Sequence, residues 1–126
     1  MSNPTFKHGP IGFDIAEDLD KFRLVRQTVD GKIEYADATG AVFGAVTEAG
    51  RLAPEAAGHY NIAVHYGTAA VKLETTDTIQ AGAGVFAAAD GKVSATGTVQ
   101  VGVAVRATEG GKTLTILNNL PYAAGA

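Results

Sequence analysis

The chain has 126 residues, a formal net charge of −3 and no cysteine or tryptophan. This length suits one domain that folds without disulfides, and the missing cysteines exclude a thiolate metal site. The ten basic residues are scattered, which argues against a nucleic-acid partner. No apolar run reaches the roughly 18 residues of a membrane helix, and no signal-peptide pattern opens the chain. We therefore expect a soluble protein with no membrane partner.

The N-terminal segment, residues 1–13, has no periodicity, and its prolines and glycines block regular structure. It nevertheless contains Phe6, Ile11 and Phe13. Aromatic side chains gain nothing in a free tail, so we predict an extended arm that docks through these residues. A disordered terminus is the alternative. Residues 14–20 carry acids at capping-box spacing and are predicted to form one helical turn.

The next part of the chain is predicted to form five strands, at residues 22–28, 32–36, 41–47, 59–66 and 68–73. The first two strands pair across the turn Asp30-Gly31. Gly44 interrupts the third strand and indicates a bulge or a close backbone approach. The fourth strand alternates clearly, with Ile62 and Val64 on the side predicted to be buried.

Residues 85–117 carry the strongest β pattern in the chain. Asp90-Gly91 is the residue pair of a type I′ hairpin turn, in which both residues need positive φ. The following strand alternates valines with smaller or polar residues, at positions 99, 101, 103 and 105. We predict that these valines form one buried face. Residues 112–117 form a last alternating strand.

Two parts of the chain are similar to each other. Each has an Asp-Gly-Lys turn (30–32 and 90–92), a strand interrupted by glycine (42–46 and 100–104) and an alternating strand (60–64 and 112–116). We therefore predict a β-domain at 14–119 with an internal repeat, roughly 22–66 and 83–118, forming a small barrel or sandwich. Chance similarity among short strands is the alternative. Residues 120–126 form a tail predicted to dock through Leu120 and Tyr122.

One sequence feature suggests nucleotide chemistry. Gly111-Lys112-Thr113 matches the end of a phosphate-binding loop, but Arg106 stands where the motif requires glycine. The motif also needs a helix whose N-terminus holds the phosphate, whereas a strand is predicted to follow. We therefore expect no nucleotide site.

Two further features suggest metal binding. His59 and His65 lie on one face of a predicted strand, but about 20 Å apart, which is too far to share a metal. The acids at 14–20 lack the ligand spacing of a calcium loop. We expect no metal, no cofactor and no catalytic residues, and therefore no enzyme.

A series of short segments, in a fixed order, carries a family resemblance over roughly residues 16–119. The segments are 17–25, 30–32, 42–46, 57–58, 61–64, 67–72, 79–85, 90–93 and 101–104. Their order resembles that in the small capsid decoration, or cement, proteins of tailed bacteriophages. Members of that family are small β-domains that sit on the outside of the shell, at junctions of major capsid protein subunits.

The resemblance implies an all-β fold of β-tulip-like type, built from two similar hairpin halves with an extended N-terminal arm. It implies a virion protein on the outer capsid surface, made in the host cytoplasm. The expected partners are the major capsid protein and copies of the chain itself, with a trimer favoured and a dimer as the alternative. The candidate partner-binding residues are Phe6, Ile11, Phe13, Leu120 and Tyr122.

A β-module that binds carbohydrate or a host surface is the alternative function. Tyr35, Tyr60 and Tyr66 could form a patch that stacks on sugars. Tyr60 and Tyr66 share the face of the fourth strand that is predicted to be buried, so we expect them in the core instead.

Overall fold

The computed structural model describes residues 9–52 and 60–122, which form ten β-strands and one 3₁₀ turn. The strands are β1 Ile11–Asp14, β2 Arg23–Gln27, β3 Ile33–Tyr35, β4 Gly44–Val46, β5 Asn61–Val64, β6 Ala70–Glu74, β7 Gly84–Ala87, β8 Val93–Ser94, β9 Gln100–Ala104 and β10 Lys112–Leu117. The 3₁₀ turn is Ala89–Gly91. The all-β prediction is confirmed, and the sheets remain open instead of closing into a barrel.

The strand order is the same in the two halves of the chain, which we call the first half (β1–β5) and the second half (β6–β10). The second half is one antiparallel sheet in the order β6-β10-β9-β7-β8. In the first half, β3-β2-β4 and β1-β5 form separate sheets. A bridge between Ala45 and His65, with hydrogen bonds of 2.9 and 2.8 Å, brings β4 beside β5. The first half therefore has the matching order β1-β5-β4-β2-β3.

Isolated bridges repeat with the strands. A parallel bridge joins Ile15 to Ile33, and another joins Thr75 to Val93, 60 residues further along in both positions. Each bridge connects the end of the half's first strand to the return strand of its hairpin. The repeat therefore includes β1, which lies before residue 22, the predicted start of the first copy.

The acidic segment after β1 is a loop, so the helical turn predicted at residues 14–20 is wrong. Its backbone groups bond to other parts of the first half: the Leu19 N–H, for example, donates to the Gly50 carbonyl at 2.9 Å. Glu17 Oε2 accepts the Tyr35 N–H at 3.0 Å. In the second half, Asp77 Oδ2 accepts the Ala95 N–H at 2.9 Å. These carboxylates therefore fix the loop to the end of each hairpin instead of capping a helix.

The Asp-Gly turn at residues 90 and 91 has the predicted backbone. Asp90 has φ 58° and Gly91 has φ 70°, so both residues lie in the left-handed region. The turn joins β7 to β8, with the Ala88 N–H donating to the Lys92 carbonyl at 3.0 Å. Because glycine adopts this conformation without a steric penalty, the hairpin closes without strain at Gly91.

Glycines in β4 and β9 allow a close backbone contact that occurs in both halves. A Cβ atom on Gly44 would lie 2.2 Å from the His65 carbonyl oxygen, and one on Gly102 would lie 2.2 Å from that of Ile116. Neither neighbour is a flexible side-chain end, so any larger residue must displace the backbone of the adjacent strand. The close approach predicted at Gly44 is confirmed.

The two halves do not have separate cores. The first half has its own buried cluster, which includes Ile15, Leu19, Val25, Ile33, Val46, Ile62 and Val64. The buried cluster of the second half also contains four residues of the first half, Leu24, Ala36, Val42 and Ala45. These four belong to the outer face of the first half, by which we mean the side of a half's strands that is turned away from its own cluster. This outer face therefore closes the core of the second half.

Strand β9 does not bury its valines as predicted. Val101 is buried, whereas Val103 and Val105 are exposed. The register between β7 and β9 shifts, because Val85 lies opposite Gly102 while the next residue of β7 lies opposite Gln100. Val101 is left as the extra residue of a bulge, which reverses the alternation after it. As a result Ala104, instead of Val103, belongs to the core.

Strand β10 also has the opposite orientation from the one that its hydrophobicity suggests. Thr113 and Thr115 are fully buried, whereas Leu114 is half-buried and Ile116 is exposed. The buried hydroxyls are satisfied, because Thr113 Oγ1 lies 2.6 Å from Thr108 Oγ1 and Thr115 Oγ1 donates to the Thr113 carbonyl at 3.1 Å. Strand β10 is the counterpart of β5. Its two threonines therefore correspond to the buried residues of β5, whereas Leu114 and Ile116 do not.

The close strand contacts predict the effect of adding one methyl group. Gly44→Ala and Gly102→Ala should each destabilise the fold by about 1–3 kcal/mol, since the Cβ must displace a backbone carbonyl. The matched control is Gly12→Ala, where the nearest atoms to the Cβ belong to the movable side-chain amide of Asn61, with its oxygen 2.7 Å away. Urea unfolding measures the three variants. Equal losses for Gly44→Ala and Gly12→Ala would contradict the close-contact explanation.

The Asp77 carboxylate predicts a pH-dependent part of the stability. Hydrogen bonds from the Ala95 N–H and the Ser94 hydroxyl lower the pKa of Asp77 below its ordinary value of 3.8. The lowered pKa means that this stabilisation is complete above the unfolded-state pKa and is lost as the pH falls through the folded-state pKa. Asp77→Asn should therefore be less stable than wild type at pH 7, and the difference should begin to shrink as the pH falls below about 4 and disappear below the folded-state pKa. Thermal unfolding at several pH values measures it. Glu109→Gln removes an exposed carboxylate as the control, and a difference that persists in acid would contradict this role.

Candidate functional site

The residues suspected of chemistry lie in structural positions. Lys112 opens strand β10 and Thr113 is buried within it, so the chain after Gly111 offers no helix N-terminus to a phosphate. Among residues 9–52 and 60–122, no group of three or more His, Asp or Glu side chains is arranged to hold a metal ion. His59 lies outside the described residues. In the same described ranges, no helix is long and apolar enough to cross a membrane.

The end of the predicted N-terminal arm is part of the folded domain. Ile11 and Phe13 lie in β1, which pairs antiparallel with β5. The Phe13 ring packs edge-to-face on Phe43, with ring centroids 5.2 Å apart and an interplanar angle of 75°. Both rings are half-buried against the first-half cluster, and we call them the aromatic pair. Phe6 lies outside the described residues, so its role as an anchor stays a prediction.

The two candidate residues near the C-terminus pack within the chain. Leu120 is buried in the second-half core, and its N–H donates to the Gly67 carbonyl at 3.1 Å. The Tyr122 hydroxyl donates to the Gln100 carbonyl at 2.6 Å, and its backbone N–H donates to the Val42 carbonyl at 2.8 Å. Tyr122 therefore contacts both halves. Leu120 is buried and Tyr122 is half-buried, and the partner role of both residues stays a prediction.

The three tyrosines proposed as a sugar-stacking patch have different environments. The Tyr35 hydroxyl accepts the Asp20 N–H at 2.8 Å, and its ring lies against a guanidinium group. Tyr66 is half-buried. Tyr60 is 52% exposed, so the expectation that it lies in the core is wrong. The reason is that β5 begins at Asn61, which leaves Tyr60 in the preceding bend.

Arg23 joins the two halves, a role that the sequence alone did not indicate. It is almost fully buried, and its Nη2 atom lies 3.2 Å from Glu74 Oε2. Its Nη1 atom donates to the Asp90 carbonyl at 3.0 Å. The guanidinium also lies 5.4 Å from the centre of the Tyr35 ring. Because Arg23 belongs to β2 while Glu74 and Asp90 belong to the second half, these contacts fix the halves relative to each other.

The large hydrophobic side chains that are exposed on the second half form an apolar patch. Val103 is 43% exposed, Val105 is 42% exposed and Ile116 is 46% exposed. Val103 and Ile116 lie directly opposite each other on β9 and β10. We call these three residues the apolar outer face. The sequence pattern concealed it, because alternation predicted that these valines are buried.

A basic depression borders the apolar outer face. Its lining includes Lys72, Arg106 and Lys112, together with the single acid Glu109. Leu114 also lines the depression, and its carbonyl accepts the Val105 N–H at 2.8 Å. The second half therefore presents an apolar patch with positive charge at its edge.

Comparisons with known proteins give one informative similarity. No protein-family model matches the sequence, and no curated protein matches it. A solved structure has a similar fold. It is the crystal structure of the head fiber gp8.5 N base of bacteriophage phi29, with a TM-score of 0.67. The alignment covers 89% of this chain and 97% of that chain at 16% sequence identity, so the fold is shared over most of both chains.

The position of Phe13 predicts a loss of stability when its ring is removed. Phe13→Ala should destabilise the fold by about 1–3 kcal/mol, since the ring is half-buried against Phe43 and the first-half cluster. Val29→Ala should change stability little, because Val29 is fully exposed. Urea unfolding of both variants measures this. A Phe13→Ala variant as stable as wild type would mean that Phe13 belongs to a free arm.

Proposed function

We propose that this chain is a structural protein of a bacteriophage head that binds the outer surface of the capsid and stabilises the shell. The observation that carries the proposal is the fold similarity to the phi29 head fiber N base, which extends over 97% of that chain. The resemblance of the sequence to capsid decoration proteins supports the same assignment by a different route. We place the binding site at junctions between major capsid protein subunits.

The physical character of the domain suits this role. The first half closes the core of the second half, and Arg23 and Tyr122 contact both halves, so the two halves form one folded unit. A ligand that binds only the assembled shell stabilises it by mass action, without any chemical step. We therefore propose a binding protein and not an enzyme, with no cofactor and with no nucleic acid or membrane among its partners.

The segment before β1 is the proposed contact with the major capsid protein. Residues 1–10 precede the strand and would reach about 30 Å when extended, and they include Phe6. Ordering such a segment costs entropy but adds contact area. We further propose that the chain associates with itself, as a trimer around a local three-fold axis or alternatively as a dimer. Such association makes later contacts with the shell intramolecular and so strengthens weak individual contacts.

A carbohydrate-binding module is the second candidate function, and the exposure of Tyr60 favours it. Tyrosine rings at such positions can stack on sugar rings. A glycan array with wild type and Tyr60→Ala distinguishes the two functions. Strong glycan binding that Tyr60→Ala abolishes, together with no binding to shells, would replace the capsid proposal.

The capsid proposal predicts saturable binding of the purified protein to shells of its own virus that lack it. Bound shells should release their DNA at a higher temperature than bare shells, because the ligand stabilises only the assembled state. Co-sedimentation measures the occupancy, and a dye-release melt measures the stability. Absence of the protein from purified virions, or no binding to these shells, would overturn the proposal.

Removing the segment before β1 should separate its role from that of the folded domain. Deletion of residues 2–9 leaves β1 intact, whereas a longer deletion would remove a strand that pairs with β5. We expect this deletion and Phe6→Ala to lower shell occupancy without changing the unfolding midpoint. Deletion of residues 123–126 is the control. Full occupancy by the 2–9 deletion would show that the arm is not the capsid contact.

A further inference from the structure

Because of the internal repeat, each surface of one half has a counterpart in the other half. The two counterparts differ in what covers them. In the first half, the outer-face residues Leu24, Val42 and Ala45 are fully buried in the second-half core. The strand registers give Gly84 and Val103 as the counterparts of Leu24 and Ala45. The offset between Gly44 and Gly102 gives Gln100 as the counterpart of Val42, and all three counterparts are half-buried or exposed. The same face is therefore covered in the first half and open in the second.

The opposite surface shows the complementary difference. In the second half, Leu73 and Val101 are fully buried beneath the first half. Their counterparts in the first half are Phe13 and Phe43, the aromatic pair, which are only half-buried. The second-half core thus has a cover that the first-half core lacks.

The Asp-Gly turns differ in the same way. The Gly91 N–H donates to the Ala36 carbonyl at 2.8 Å, and a Cβ on Gly91 would lie 2.4 Å from the Leu24 carbonyl. The turn of the second half therefore fits closely onto the first half. Its counterpart has open space around Gly31, and Val29 beside it is fully exposed.

From these differences we propose that copies of this chain associate head to tail, with the apolar outer face of one copy packed on the aromatic pair of the next. The contact between two copies continues the contact between the two halves of one chain. It uses two different surfaces, so it is heterologous and closes into a ring when the rotation between copies allows it. The trimer rests on the self-association in the proposed function. The head-to-tail contact is argued from the contact between the two halves of one chain.

The residues of the apolar outer face support an occupant. β10 directs Leu114 and Ile116 outward while it buries two threonines, which is the reverse of what a strand facing only water favours. Three counterparts of the first-half outer face are smaller or more polar, namely Gly84, Thr96 and Gln100. The contact between copies is therefore centred on Val103, Val105 and Ile116 instead.

The segments next to the two surfaces carry charge of opposite sign. The apolar outer face is bordered by Lys72, Arg106 and Lys112. Phe13 of the aromatic pair is followed in the sequence by four acids, Asp14, Glu17, Asp18 and Asp20, of which Asp20 is already paired with Arg51 at 2.9 Å. Opposite charge favours the head-to-tail encounter over contact between two identical basic surfaces.

The test is the mass of the full chain in solution, measured by sedimentation velocity over a range of concentrations. Wild type should form oligomers, and the double variant Val103→Asp with Ile116→Asp should associate roughly tenfold or more weakly. Both substitutions lie on exposed positions, and circular dichroism and the unfolding midpoint confirm that the variant folds. Leu52→Asp is the control, because Leu52 is similarly exposed at 53% and belongs to neither the apolar outer face nor the aromatic pair. A monomeric wild type, or equal association by the double variant, would overturn the proposal.

A mixing experiment distinguishes head-to-tail association from a two-fold contact. The double variant keeps an intact aromatic pair, whereas Phe13→Ala keeps an intact apolar outer face. Each should be mainly monomeric alone, and a 1:1 mixture should form dimers and nothing larger. Val29→Arg, on the exposed turn, replaces Phe13→Ala if that variant is unstable. Folded variants that do not form dimers on mixing would overturn the head-to-tail arrangement, whatever the result of shell binding.

Discussion

The second half of this chain depends on the first half to close its core. Leu24, Ala36, Val42 and Ala45 lie on the outer face of one half and are buried in the cluster of the other. Full burial of a Val or Leu side chain contributes about 1.5–3 kcal/mol, and a small domain has a net stability of only about 5–15 kcal/mol. These contacts therefore contribute a large share of the net stability of the domain. The Arg23 contacts with Glu74 and Asp90 cross the same boundary, so the relative position of the halves is fixed by both packing and charge.

Local sequence signals predicted the parts of the fold that depend on local chemistry. Asp90-Gly91 forms the expected turn because positive φ is a property of those two residues. Gly44 marks a close approach because no other residue fits there. The errors arise where another part of the chain decides the result. A bulge at Val101 reverses the alternation of β9, and the acids after β1 bond to backbone groups of distant strands instead of their own segment. Neither the bulge nor the distant backbone groups that bond to these acids can be identified from a short stretch of sequence.

The candidate surfaces were harder to predict than the strands. Apolar residues near the N-terminus indicated that something docks, but not what it docks against. β1 shows that Phe13 docks against Phe43 of its own chain. Conversely, the apolar outer face was concealed because its valines obey the pattern of a buried strand. Sequence alternation shows which residues share a face, whereas exposure depends on what lies across from that face, and only the fold supplies that information.

The internal repeat turns this difference into an argument about assembly. The two similar halves of the chain make one contact with each other. Each half therefore also has a surface that no second half of the same chain covers. At one end the valines and Ile116 are uncovered, and at the other end the aromatic pair is only partly covered. Polar replacement at Gln100 and Thr96 indicates that the second-half outer face is not a simple copy of the first. The residues that remain apolar there are concentrated on β9 and β10. A contact centred on those strands would differ in detail from the internal junction but would still be head to tail, and the rotation between successive copies then determines whether they close into a ring.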